Sequence, residues 1–158
     1  MIQVTVSGPF VEPEHGAYVV LLNELDGDRC LPIWIGPTEA HAIAYELAGV
    51  KPERPLTHDL TSHILQQLGA RVTKVTVAKL VERIYYAELL LEADSVVLKV
   101  DARPSDSIAL ALKMGAPIFV AERVMGKRAE GAEEPQEVDK LKAKLKRIRP
   151  EDFGSPAL

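Results

Sequence analysis

The 158-residue chain carries 47% hydrophobic and 27% charged residues, the balance of an ordinary globular domain long enough to bury about two-thirds of its unfolded surface. Its 19 basic and 23 acidic side chains give a net charge of -4. That excludes a broadly cationic protein that grips nucleic acid by bulk charge, though not a local anion site. One cysteine, Cys30, excludes an internal disulfide framework and a cysteine-rich zinc site.

No apolar run approaches the ~18 residues of a membrane span, and MIQVTVSG lacks the basic-then-apolar order of a secretory signal. A cytoplasmic setting is the expectation. Ile2, Val4 and Val6 alternate with polar residues and predict a first strand. The apolar run 17–22 and the segment 29–35 predict two more, joined by the turn residues NELDGD. Pro37 after Gly36 opens a helix whose face is Ala40, Ile43, Ala44 and Leu47, ended by Gly49. Thr57 is the predicted N-cap of a second helix, which places Asp59 in its first turn. Leu60, Ile64, Leu65 and Leu68 would form its buried face.

Strands are then expected at 72–77, 84–91 and 96–100, a helix from Pro104 to Gly115, and a short strand at 118–121. Residues 126–135 (GKRAEGAEEP) hold no apolar side chain larger than alanine and read as a flexible connector. The charged segment 136–158 predicts a C-terminal helix and tail, with Val138, Leu141, Leu145 and Ile148 as a narrow stripe. The domain proper is thus placed at 1–125.

The fold class predicted is α+β, a mixed and largely antiparallel sheet with helices. Its order suggests two copies of strand, strand, strand, helix. Pro37-Thr38-Glu39 and Pro104-Ser105-Asp106 match each other, and each follows a strand and opens a helix. Two explanations stand side by side: duplication, or the common grammar of helix starts.

Three places carry chemistry beyond core and cap: Glu39, the pair His58-Asp59, and DARPSD over 101–106. Glu39, Asp101 and Asp106 supply carboxylates for a hard divalent ion such as Mg²⁺ or Mn²⁺. His58 offers a general base or ligand, Arg103 a fork for phosphate, and the helix starts at Thr57 and Ser105 free N–H groups. Each has a plainer reading. Asp59 and Asp106 suit first-turn dipole partners, Arg103 can pair with Asp101 or Asp106, and His58 can face solvent. His15 and His41 are read as bland surface residues. The chain has no P-loop, no dinucleotide-binding glycine motif, no H-E-x-x-H and no C-x-x-C.

The stretches LPIWIGPTEAHAI (31–43), RPLTHDL (54–60), LGARVTKVTV (68–77), YYAELLL (85–91) and VDARPSDSIALAL (100–112) resemble the bifunctional nuclease domain family, across about residues 1–125. The tail resembles the family's short form, without the UVR-type helical module. The resemblance implies a compact α+β fold with an apparent duplication and a nuclease acting on DNA and RNA. It carries over Glu39, His58, Asp59, Asp101, Arg103, Ser105 and Asp106 as matched motif positions. We read His58, Asp59, Arg103 and Ser105 as catalytic and Glu39, Asp101 and Asp106 as metal ligands. The alternative is a noncatalytic module that binds an anionic ligand or a protein. A homodimer is expected, with the edge at Ile2 to Val6 as one contact.

Overall fold

The computed structural model describes residues 1–125 and 135–154, apart from the side chains of 135–137. Nearly all of the expected connector lies outside these residues. Three strands, β1 (Ile2–Glu12), β2 (Ala17–Glu24) and β3 (Cys30–Ile35), lead into helix α1 (Pro37–Ala48). Helix α2 (Thr57–Gln67) follows. Then come β4 (Ala70–Val81), β5 (Ile84–Ala93), β6 (Val96–Ala102) and helix α3 (Pro104–Met114). The chain continues through β7 (Ile118–Val120), a short α4 (Glu122–Met125), α5 (Pro135–Lys144), β8 (Lys146–Arg147) and a 3-10 turn over Pro150–Phe153. No helix among the described residues is long and apolar enough to cross a membrane.

The strands form one sheet in the order β3-β2-β1-β7-β4-β5-β6, with β8 also paired to β1. β7 runs antiparallel to β1 and parallel to β4. β1 and β4 therefore run in opposite directions on either side of β7, and each half spreads outward as an antiparallel meander. The two strand-strand-strand-helix units repeat the same order of elements. Both unit helices begin with a proline after an extended N-cap, Gly36 or Arg103. Both end on a left-handed glycine, Gly49 or Gly115, the conformation glycine adopts without a Cβ penalty.

The core lies between the sheet and the helices. Val20, Leu22, Leu31 and Ile33 of the first unit meet Val75, Val77, Leu89 and Ile108 of the second. α1 and α3 pack on each other, and α3 reaches across to β3. Burying such side chains contributes about 1.5–3 kcal/mol each, so the seam between the units is also the core.

Four expectations change. β1 is not an edge: β2, β7 and β8 occupy its sides, and among the described residues the open edges of the sheet are β3 and β6. Leu60, Ile64 and Leu68 along α2 are exposed rather than buried. Leu65 alone of that set packs on the core, because α2 sits beside α3 and touches the sheet mainly at β4. Thr57 is the first helical residue of α2, and Leu56 takes the N-cap position. His41 is not a bland surface residue: its Nε2 is buried. It lies edge-on to Tyr45 and stacks on Phe153 at 5.0 Å.

Candidate functional site

Three helix starts meet at the seam. The N-terminal turn of α3 presents Arg103 and Asp106, that of α1 presents Glu39, and that of α2 presents His58. Arg103 Nε donates to Asp106 Oδ2 at 2.8 Å, and its Nη2 donates to Oδ1 at 3.1 Å. The same Nη2 lies 2.9 Å from Glu39 Oε1. His58 Nε2 sits 3.0 Å from Asp106 Oδ1. One guanidinium therefore joins the equivalent first-turn carboxylates of both units, and one of those carboxylates also holds an imidazole.

Gly36 explains part of this geometry. It is the N-cap of α1, the position that Arg103 holds before α3. A Cβ there would collide with Glu39 Oε2. Without it, the Glu39 carboxylate folds over its own helix start and still reaches Arg103.

The charges are mutually fixed. Burial pushes the Asp106 carboxyl upward, but Arg103 and His58 outweigh it and hold the group below the ordinary aspartate range. Asp106, then Glu39, keep Arg103 above its usual value. An ionised carboxylate only accepts hydrogen bonds, so the contact with Asp106 places a proton on His58 Nε2; in the neutral ring Nδ1 is then the acceptor. Arg103 is largely exposed, and its Nη1 makes no hydrogen bond among the described residues.

The other predicted positions sit differently. Asp59 Oδ2 accepts the Leu56 N–H at 2.7 Å, which caps α2. Its Oδ1 pairs with Lys113, which also pairs with Glu46. Burial raises the Asp59 carboxyl, while Lys113 and the Leu56 N–H bring it below its usual value. Asp59 thus fixes the helix start from which His58 projects. A small cleft runs beside it, lined by Tyr45, Pro52, Leu56, His58 and Lys113. Ser105 is buried at the start of α3. Asp101 lies on the edge strand β6, opposite Glu88, and its side chain makes no ion pair or hydrogen bond among the described residues.

A second cluster lies outside the predicted positions. Glu12, Glu14 and His15, at the turn from β1 to β2, can hold a divalent metal ion. Their ligand atoms all lie within 4.8 Å of one another, the one such group of three or more among the described residues. Glu12 Oε1 accepts the Glu14 N–H at 3.0 Å, and Oε2 accepts the His15 N–H at 2.8 Å and contacts His15 Nδ1 at 2.8 Å. The signal in the sequence is the E-x-E-H run before Gly16, which puts three donors on one turn.

The fold and site define an α+β domain of two like units with an arginine–carboxylate–histidine cluster where their helices begin. The chain belongs to the bifunctional nuclease domain family, whose model matches residues 20–133. It is similar to an uncharacterized protein of Mycobacterium tuberculosis, 43% identical over 164 residues, covering 97% of this chain and 98% of that protein. It is also similar to "Bifunctional nuclease 1" of Oryza sativa subsp. japonica, 27% identical over 115 residues, covering 71% of this chain and 34% of the rice protein. "Bifunctional nuclease 1" of Arabidopsis thaliana is 28% identical over 109 residues, 67% of this chain and 33% of the plant protein. The chain spans about a third of the length of these plant relatives.

Proposed function

We propose that the protein hydrolyses phosphodiester bonds in DNA and RNA with little sequence preference, at the cluster of Glu39, His58, Arg103 and Asp106. The observation that carries this reading is Asp106, which orients an imidazole and a guanidinium with a single carboxylate. The Nη1 of Arg103 would bind a phosphate oxygen, and the first-turn N–H groups of α3 would share its charge. His58 Nδ1 would take the proton from an attacking water. The water oxygen then bonds to phosphorus as the bond to the leaving sugar oxygen breaks. Asp59 and Glu39 act as positioning residues, one through the start of α2 and the other through Arg103. No base-reading element is needed for cleavage without sequence preference, because the phosphate is common to every nucleotide.

The Mg²⁺ or Mn²⁺ expectation fits one cluster better than the other. Glu39 and Asp106 are already neutralised by Arg103, and Asp101 stands on β6, so these three are a poor cage for a hard cation. Glu12, Glu14 and His15 fit better, and their mixed oxygen and nitrogen donors favour Mn²⁺ over Mg²⁺. A bound divalent ion there supplies positive charge for phosphate at a negatively charged protein surface.

The alternative of a noncatalytic anion-binding module is favoured by one observation: all four site residues are already tied to one another. The test is cleavage of labelled single-stranded RNA and double-stranded DNA in EDTA, Mg²⁺ or Mn²⁺. Wild type is compared with His58→Gln, Asp106→Asn and Glu12→Gln prepared identically. His58→Gln should lower the rate by about 10²-fold or more, and Glu12→Gln should remove only the metal-stimulated part. Equal cleavage by all preparations would point to a contaminant. Phosphate-sensitive binding with no cleavage would establish the binding module instead.

A further inference from the structure

The two units should bury their outer strands alike, and they do not. Counted back from the matched helix starts at Pro37 and Pro104, Leu31 and Ile33 of β3 correspond to Leu98 and Val100 of β6. Each faces the helix side of the sheet: Leu31 pairs with Leu22 and Ile33 with Val20, just as Leu98 pairs with Leu91 and Val100 with Leu89. Yet Leu31 and Ile33 are 5% and 3% exposed, whereas Leu98 and Val100 are 50% and 39% exposed. α3 reaches over β3, while the main packing partner of β6 is β5 alone. Val96 and Val97 are exposed as well, and among the described residues the outer edge of β6 is unpaired in the sheet. A long apolar edge strand of this kind templates pairing with another strand.

We propose that β6 is the seam of a homodimer, pairing antiparallel with β6 of a second copy about a two-fold axis midway between the two Val100 residues. The charges select the occupant and the register. Asp101 lies directly opposite Glu88 of β5, an unfavourable like-charge pair. Lys99, on the same face, reaches Glu88 only at 3.8 Å. A two-fold axis normal to the sheet sets residues with the same facing opposite one another, so it must pass midway between the two copies of a single residue. Centred on Lys99, it would oppose two lysines. Centred on Val100, it sets Lys99 against Asp101 of the second copy, twice over, and sets Leu98 against Ala102.

The same axis keeps both helix layers on one side of the joined sheet. α2 is the helix flanking α3, and Leu60, Ile64 and Leu68 form an exposed stripe along it at i, i+4, i+8. Pairing across this axis gives β6 a strand on its outer side, beside β5 on its inner side. This inference does not depend on catalysis.

Charge swapping tests it. Sedimentation velocity at concentrations from about 1 to 100 μM, a range that separates micromolar dimers from monomers, is run on four proteins. Wild type should be dimeric. Asp101→Lys and Lys99→Asp should each weaken the dimer by tenfold or more, and the double swap Lys99→Asp/Asp101→Lys should recover it. Far-UV circular dichroism checks that each variant is folded. Oxidative cross-linking on a Cys30→Ser background supplies a readout that needs no charge change. Val100→Cys should join two chains across the axis, and Val97→Cys, which faces Arg103 of the second copy, should not. A monomeric wild type, a dimer indifferent to both single reversals, or cross-linking at 97 in place of 100 would overturn the proposal.

Discussion

Two titrating residues set different limits on the acid side of stability. His41 is packed between Tyr45 and Phe153 with Nε2 away from water, and burial lowers its pKa below the usual histidine value. The folded state therefore prefers neutral imidazole, and the unfolded chain binds the proton more readily. The stabilisation is complete above about pH 6.5 and is lost as pH falls through the lower folded value. His41→Phe keeps the aromatic stack and removes the proton. The expected result is a flatter dependence of Tm on pH between about 7 and 5 than in wild type, read by thermal unfolding across that interval. Asp106 acts lower. Its folded pKa is depressed by Arg103 and His58 against the opposing effect of burial. Its contribution is thus present above about pH 4 and disappears as pH falls through the depressed value. Asp106→Asn should remove that acid-side slope while leaving the His41 region unchanged.

At the scale of the element, the hairpins show where the sequence speaks plainly and where it does not. The turn between β5 and β6 is a two-residue loop with Asp94 at φ 46° and Ser95 at φ 67°. Both angles lie in the left-handed region that two-residue hairpins require and that Asp-Gly satisfies best. Ser95→Gly should relieve Cβ strain of about 1–2 kcal/mol, offset in part by about 0.5–1 kcal/mol of extra unfolded-state freedom. Denaturant melts should show a net gain below about 1 kcal/mol. The alternating valines and the Pro-first, Gly-last helices make most elements legible, because local sterics and capping act within a few residues. The α2 stripe departs from expectation for a physical reason: a period of 3.6 identifies an apolar face but not what covers it. The candidate site is legible as three separate motifs. Their joining through Arg103 is not, since it depends on the packing of helices distant in the chain. Glu12 escapes such a reading because a turn brings its partners together without periodicity, and His41 because Phe153 arrives from the far end of the chain.

Across the whole molecule, the seam between the units is held by charge at both ends of its helix pair. Near the helix starts, Arg103 joins Glu39 and Asp106. Near the far ends, Lys113 of α3 joins Glu46 of α1 and Asp59 of α2. Glu46 stands as far along α1 from Pro37 as Lys113 stands along α3 from Pro104, so equivalent positions in the two units carry opposite charges and pair with each other. Burial works against the charged form of Lys113, but Asp59 and Glu46 prevail and hold its pKa above the ordinary lysine value. All three side chains are largely screened from water. Lys113→Met would keep the aliphatic stem and leave two carboxylates facing each other without a cation. The expected cost is about 2–3 kcal/mol, at or just under the range for breaking a buried pair because some solvent reaches the group. Lys113→Met/Glu46→Gln removes one of the stranded charges and should recover part of that loss. Urea melts of the single and double variants measure the difference. If Lys113→Met were neutral, the far end of the seam would be held by apolar packing alone. A loss in Lys113→Met that Glu46→Gln reverses would establish that the units are tied by charge at both ends. Asp59, released from Lys113, would then hold α2 only through its cap on Leu56, so His58 would gain mobility and any phosphodiesterase activity should fall with it.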